Sequence, residues 1–139
     1  MTIYLDTSVL AAVIFEEPAS AEAREWLKRT RDPIVVSELA GLEFAAVVSR
    51  AVRTRRFDDD AAARALASFD ELCAATLRMG HGRGDFELAA KLVRDFSTKL
   101  AAPDALHLAT AKSAEASLAT FDARLADAAR GQGIELALE

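Results

Sequence analysis

The chain has a single cysteine, Cys73, so it can build neither an internal disulfide nor a thiolate zinc cluster. Long apolar runs are missing as well. The longest, residues 9–15, falls far short of the roughly 20 residues a membrane helix needs. No basic segment precedes the first apolar residues, so no secretory signal is read there, and a cytoplasmic protein without membrane contact is expected. Repeats, linkers and low-complexity tracts are lacking. So is any excess of positive charge: 17 basic residues against 22 acidic ones give −5, which disfavours nucleic-acid binding by bulk electrostatics. What remains is a composition 52% hydrophobic and 28% charged, enough for one folded core. A single domain over residues 1–139 is expected.

The apolar patterning alternates short strands with helices. Residues 2–5 are β-prone and end at Asp6. A helix follows over 8–15 with Ser8 as its cap, and another over 20–30 capped by Ser20. Ile34-Val35-Val36 is the continuous apolar run of a strand buried on both faces. A long helix over 37–53 is expected to turn Leu39, Leu42, Ala46 and Val47 to the core; Gly41 inside it has no explanation in the sequence. Helices over 58–71, 85–96, 103–114 and 122–130 complete the set, with strands at 74–79, 118–120 and 134–138 between and after them. This order predicts an α/β fold, a three-layer α/β/α domain around a parallel sheet of four to five strands.

In such sheets ligands bind outside the carboxyl ends of the strands. Four acids map to that edge or to helices bordering it: Asp6 after the first strand, Glu43 two turns into the long helix, Asp104 behind Pro103, and Asp122 after Thr120-Phe121. Each has a plain alternative. Asp104 and Asp122 suit a helix N-terminus, and Glu43 suits a helix surface. Their convergence is harder to explain singly. Two carboxylates about 4 Å apart repel by ~4 kcal/mol at an effective dielectric near 20. Clustered acids must therefore gain protons, pair with cations or bind metal. Hard oxygen donors favour magnesium or manganese over zinc, and such an ion suits phosphodiester hydrolysis.

Tyr4-Leu5-Asp6-Thr7-Ser8, then Ser37 with Glu43, then Asp104-Ala105-Leu106-His107-Leu108-Ala109-Thr110-Ala111, then Thr120-Phe121-Asp122 together resemble the PIN-domain ribonucleases, in particular the VapC-type toxins. The motifs occur in family order and span nearly the whole chain. The resemblance implies a Mg2+- or Mn2+-dependent endoribonuclease that leaves a 5′-phosphate and a 3′-hydroxyl. It implies Asp6, Glu43, Asp104 and Asp122 as the catalytic, metal-binding set, with Thr7, Ser8 and Thr120 hydrogen-bonding around them. It further implies a VapB-like antitoxin, which places a basic residue among the acids, and a homodimer.

Other readings stay open. A haloacid-dehalogenase-like phosphotransferase also uses an acid after the first strand, but wants a second aspartate where Ser8 stands. A receiver domain wants an N-terminal acidic pair and a late lysine, whereas the last lysine here is Lys112. A catalytically silent PIN-like domain that only binds protein is the third. Arg50, Arg53, Arg55 and Arg56 either complement a helix C-terminus or hold RNA phosphates despite the acidic total. His107 is expected to be structural, His81 exposed in its glycine loop, and Glu38 and Asp85 helix-start acids.

Overall fold

The chain is described by a computed structural model over residues 1–138. Its strands are Ile3–Leu5 (β1), Ile34–Ser37 (β2), Leu77–Met79 (β3) and Ser117–Ala119 (β4), all parallel in the order β3-β2-β1-β4. Between them run Thr7–Ile14 (α1), Ser20–Arg29 (α2), Glu38–Arg53 (α3), Asp59–Ala74 (α4), Arg83–Arg94 (α5) and Ala102–Ser113 (α6), and Ala123–Gly131 (α7) follows β4. Side chains alternate across the sheet with period two. Tyr4, Val35 and Leu118 point into one core with α5, α6 and α7. Ile3, Leu5, Val36 and Ala119 point into a second core with α1, α3 and α4. This is the expected three-layer α/β/α arrangement, and burial on both faces is why β1 and most of β2 are apolar, whereas the edge strand β3, Leu-Arg-Met, is largely exposed.

Several boundaries differ from the sequence reading, each for a local reason. Residues 134–138 do not form a fifth strand. They touch β4 through one bridge, Leu118 to Leu136. Ile134 N–H donates back to Ala129 O at the end of α7, and the Ala137 carbonyl accepts from Trp26 Nε1, so the flanking groups leave the ladder. α4 continues through Ala74, which shortens β3 to its last three residues. The cap of α1 is Asp6, not Ser8. Ser20 lies in the first turn of α2 and bridges Glu17 N–H to the Phe15 carbonyl instead of capping.

The phase of α3 is the largest correction. Its buried face is Ala40, Phe44, Val48 and Ala51, while Leu42 is 70% exposed and Ala46 and Val47 face outward. Aromatic packing decides the phase: Phe44 stacks between Phe15 and Phe69, with centroids 5.2 and 4.7 Å away. Gly41 lies close to the same Phe69 ring. A Cβ there would come within 3.2 Å of the Arg78 guanidinium, which lies over the Phe69 ring.

Candidate active site

The strand order reverses at β1: the chain moves from β1 outward to β2 and β3, and β4 then returns to β1's other edge. The carboxyl ends of β1 and β4 therefore flank the switch point, where α/β sheets open a crevice. Asp6 stands at that point, 4% exposed. Its Oδ1 accepts from Val9 N–H at 3.2 Å, which caps α1, and from Ser8 Oγ at 2.6 Å; its Oδ2 accepts from Thr120 Oγ1 at 2.6 Å. The same two hydroxyls secure the far strand, Ser8 Oγ accepting from Phe121 N–H and Thr120 Oγ1 from Asp122 N–H. Burial pushes the Asp6 carboxyl above its ordinary range, and the bonds from Ser8 and Thr120 offset only part of that.

Asp122 is exposed, and its Oδ1 caps α7 through the N–H groups of Arg124 and Leu125. The capping reading therefore holds for it, yet Oδ2 keeps no hydrogen-bond partner among the described residues. Asp104 behaves differently. It lies in the first turn of α6 and caps nothing, that end being opened by Ala101 and Pro103. Half-buried, its carboxylate accepts no hydrogen bond among the described residues. Burial raises its pKa first and the charge of Asp122 next; His107 opposes them, and Glu43 and Asp6 add smaller increases. Asp104 thus senses the other three acids at this rim.

Glu43 reaches the same rim from α3. Thr7 Oγ1 donates to its Oε1 at 2.9 Å, and His107 Nε2 bonds that same oxygen. Burial alone would raise its pKa, but the bond and charge of His107, helped by Thr7, outweigh burial and hold the carboxyl below its ordinary value. His107, on α6 one turn after Asp104, is buried as expected, but it also touches the acid set. Its Nδ1 bonds the Tyr4 hydroxyl at 2.7 Å, and Tyr4 donates to Ser37 Oγ at 2.7 Å. Tyr4 and Ser37 were not foreseen in this role. The signal was available: a lone tyrosine inside an aliphatic strand needs a partner for its hydroxyl once buried. That burial drives its pKa well above the usual phenol range.

Two other expectations resolve here. His81 is not exposed: its Nε2 accepts Leu39 N–H at 3.1 Å, and Nδ1 bonds Thr110 Oγ1 at 2.8 Å, tying the glycine loop to α3 and α6. An imidazole accepting at Nε2 must be neutral, in keeping with a pKa lowered chiefly by burial. Asp85 supports its helix start through Gly82 N–H, whereas Glu38 pairs with Arg78 at 3.3 Å.

The arginines lie apart from the acids. Arg50 and Arg53 are in the last turn of α3, and Arg55 and Arg56 are in the turn beyond it, with φ +58° at Arg55. All four are exposed, and none forms an ion pair among the described residues. Arg50 follows Glu43 by seven residues, about two helical turns, so it shares that face at roughly 10 Å along the axis.

The PIN-domain family model matches residues 3–131. The chain belongs to the PIN-domain family. It is 35% identical over 138 residues to Ribonuclease VapC46 of Mycobacterium tuberculosis, covering 95% of this chain and 93% of that protein. Among solved structures, it resembles the sarcin–ricin-loop-cleaving toxin VapC20 of Mycobacterium tuberculosis with a TM-score of 0.74 at 21% identity, over 91% of this chain and 94% of that one. It also resembles VapBC2 of Rickettsia felis bound to a promoter DNA fragment, with a TM-score of 0.72 at 16% identity over 98% and 97% of the two chains. With this PIN-domain assignment, the haloacid-dehalogenase and receiver readings lapse.

Proposed function

We propose that this PIN domain is an endoribonuclease that hydrolyses RNA phosphodiesters as the toxin of a toxin–antitoxin pair, with Asp6, Glu43, Asp104 and Asp122 as its catalytic acids. The observation that carries the reading is Asp104, a half-buried carboxylate that accepts no hydrogen bond among the described residues and is raised in pKa by burial and by three other acids at the sheet's switch point. Such a group is costly unless a cation neutralises it. The 35% identity to a protein named as a ribonuclease supports the activity, and likenesses to toxin–antitoxin structures support an antitoxin partner.

The donor set fits Mg2+ or Mn2+. Among the described residues no three acids, histidines or cysteines stand close enough to form a cage. Magnesium does not ask for one, since it keeps several waters and takes one or two carboxylates together with substrate phosphate. Asp6 and Asp104 would hold the ion, Glu43 and Asp122 joining directly or through water. When bound, the ion lowers the pKa of water and neutralises charge on the scissile phosphate. Ser8 and Thr120 keep Asp6 aimed, and Thr7 keeps Glu43 beside it. The purified chain should cleave RNA with Mg2+ or Mn2+ and lose that activity in excess chelator. Undiminished cleavage in chelator would overturn the metal, and no cleavage with either ion would overturn the ribonuclease.

Arg50, Arg53, Arg55 and Arg56 are the proposed phosphate contacts, supported by their exposure and lack of ion pairs. The double variant Arg53→Ala, Arg55→Ala should bind RNA more weakly. Its slope of log affinity against log salt should flatten by about 0.7 for each lost single-strand contact. An unchanged slope returns these arginines to the role of cations at a helix end. The homodimer and the cytoplasmic setting remain part of the same proposal. Among the described residues no helix is long and apolar enough to cross a membrane.

A further inference from the structure

We infer that His107 is a positioning residue for metal binding: with Tyr4 and Ser37 behind it, it pins one oxygen of Glu43 so that the other faces the acid rim. The inference rests on the reading of Glu43 as a metal-binding acid. It begins from an asymmetry. Glu43 has two carboxylate oxygens, and both of its donors, Thr7 Oγ1 and His107 Nε2, bond Oε1. Oε2 has no hydrogen-bond partner among the described residues. A free glutamate on a half-exposed helix face would sample several rotamers. This one is held by a hydroxyl adjoining Asp6 and by an imidazole one turn beyond Asp104, so its restraints come from the two elements that carry the neighbouring acids.

The imidazole is itself fixed. His107 is 2% exposed, its ring meets Tyr4 edge-on with centroids 5.7 Å apart, and Nδ1 bonds the Tyr4 hydroxyl. Tyr4 donates onward to Ser37 Oγ, which accepts Ala40 N–H as the cap of α3. The chain of bonds thus starts at the N-terminus of the helix carrying Glu43, passes through the central strand and α6, and returns to that same helix two turns on. With Nδ1 engaged by Tyr4, Nε2 is the ring nitrogen that meets Glu43. Groups that orient a metal-binding side chain in this way typically change metal affinity 10- to 100-fold when removed.

The test is Mn2+ binding to the purified full chain, read by electron paramagnetic resonance of the free ion, with circular dichroism melting as a control. His107→Leu should weaken binding roughly 10- to 100-fold. His107→Gln, whose amide N–H can still donate to Glu43, should recover part of the loss. In a Glu43→Gln background, His107→Leu should cause no further loss. A purely structural histidine would lower the melting temperature and weaken binding equally in both backgrounds, and that result, or unchanged binding in His107→Leu, overturns the inference. If His107→Leu does not fold, the same cycle is run with Tyr4→Phe, which unties the imidazole. A loss confined to the Glu43 background supports the inference, and no loss or an equal loss in both overturns it. Failure of the parent chain to bind Mn2+ would instead overturn the metal reading itself.

Discussion

Asp104→Asn will remove RNA cleavage by roughly 10^2- to 10^3-fold or more and, without metal, will leave a protein that melts at a higher temperature than the parent. The two effects have one cause. Asparagine keeps the shape of the side chain, and Asp104 accepts no hydrogen bond among the described residues, so no contact within the fold is lost. What disappears is a negative charge held against burial and against Asp122, Glu43 and Asp6. A carboxyl whose folded pKa is raised binds protons more readily in the folded state than in the unfolded one. Its ionised form therefore costs stability at neutral pH, and that cost is relieved as pH falls through the folded pKa. The asparagine variant should show a smaller rise in stability on mild acidification than the parent. Cleavage should respond oppositely, because under the proposed function the charge that destabilises the fold without metal is the one that would hold a cation against the scissile phosphate. Losing a few kcal/mol of that stabilisation corresponds to the stated fold-change at about 1.4 kcal/mol per tenfold. The measurements are cleavage rate in Mn2+ and melting temperature in chelator. A variant that cuts at the parent rate would remove Asp104 from the acid set, and one that melts lower would remove the repulsion argument.

Where an acid lands on the sheet was legible in the sequence wherever its position follows from topology. An acid ending a β-prone run, or opening the helix after one, lands on the carboxyl edge of a parallel sheet whatever the packing details. Asp6 and Asp122 are of that kind, as are the hydroxyls of Ser8 and Thr120, whereas Asp104 opens a helix that follows another helix and was picked out by the motif around it. The network behind them was not legible, since it depends on partners distant in sequence: Tyr4 and His107 are 103 positions apart, and Glu43 and His107 are 64 apart. His81 misled for a related reason. Flanking glycines suggest an exposed loop, but its partners, Leu39 and Thr110, come from helices on either side. The three-layer fold was readable from the strand–helix alternation, whereas the end of the chain was not. Residues 134–138 make a strand only if their backbone groups find a ladder, and here only Glu135 O and Ala137 N–H, beside Leu136, pair with Leu118, while Ile134 N–H and the Ala137 carbonyl bond elsewhere.

The phase of α3 separates two apolar stripes that the sequence alone leaves nearly equivalent, and the energetic consequence is large. Phe44 is fully buried and stacked on both sides, with its ring nearly parallel to Phe15 and Phe69 at 11° and 12°. Truncating it to alanine removes the transfer free energy of the ring and opens a cavity between two aromatic neighbours, Phe15 just past the end of α1 and Phe69 in α4. Phe44→Ala should cost about 3–5 kcal/mol, a large share of the ~5–15 kcal/mol by which a domain is stable. Leu42→Ala, two positions away, should change stability by no more than about 0.5 kcal/mol, because that side chain is 70% exposed. Chemical denaturation of the two variants distinguishes the phases directly. Equal losses, or a larger loss at Leu42, would mean that α3 is rotated from the orientation described. That rotation matters for the chemistry, since successive residues of a helix point about 100° apart. The turn that drives Phe44 between Phe15 and Phe69 is the turn that brings Glu43 to Thr7 and His107. The aromatic stack therefore aims the acid beside it, and Phe44→Ala is expected to weaken Mn2+ binding even under conditions where the variant remains folded.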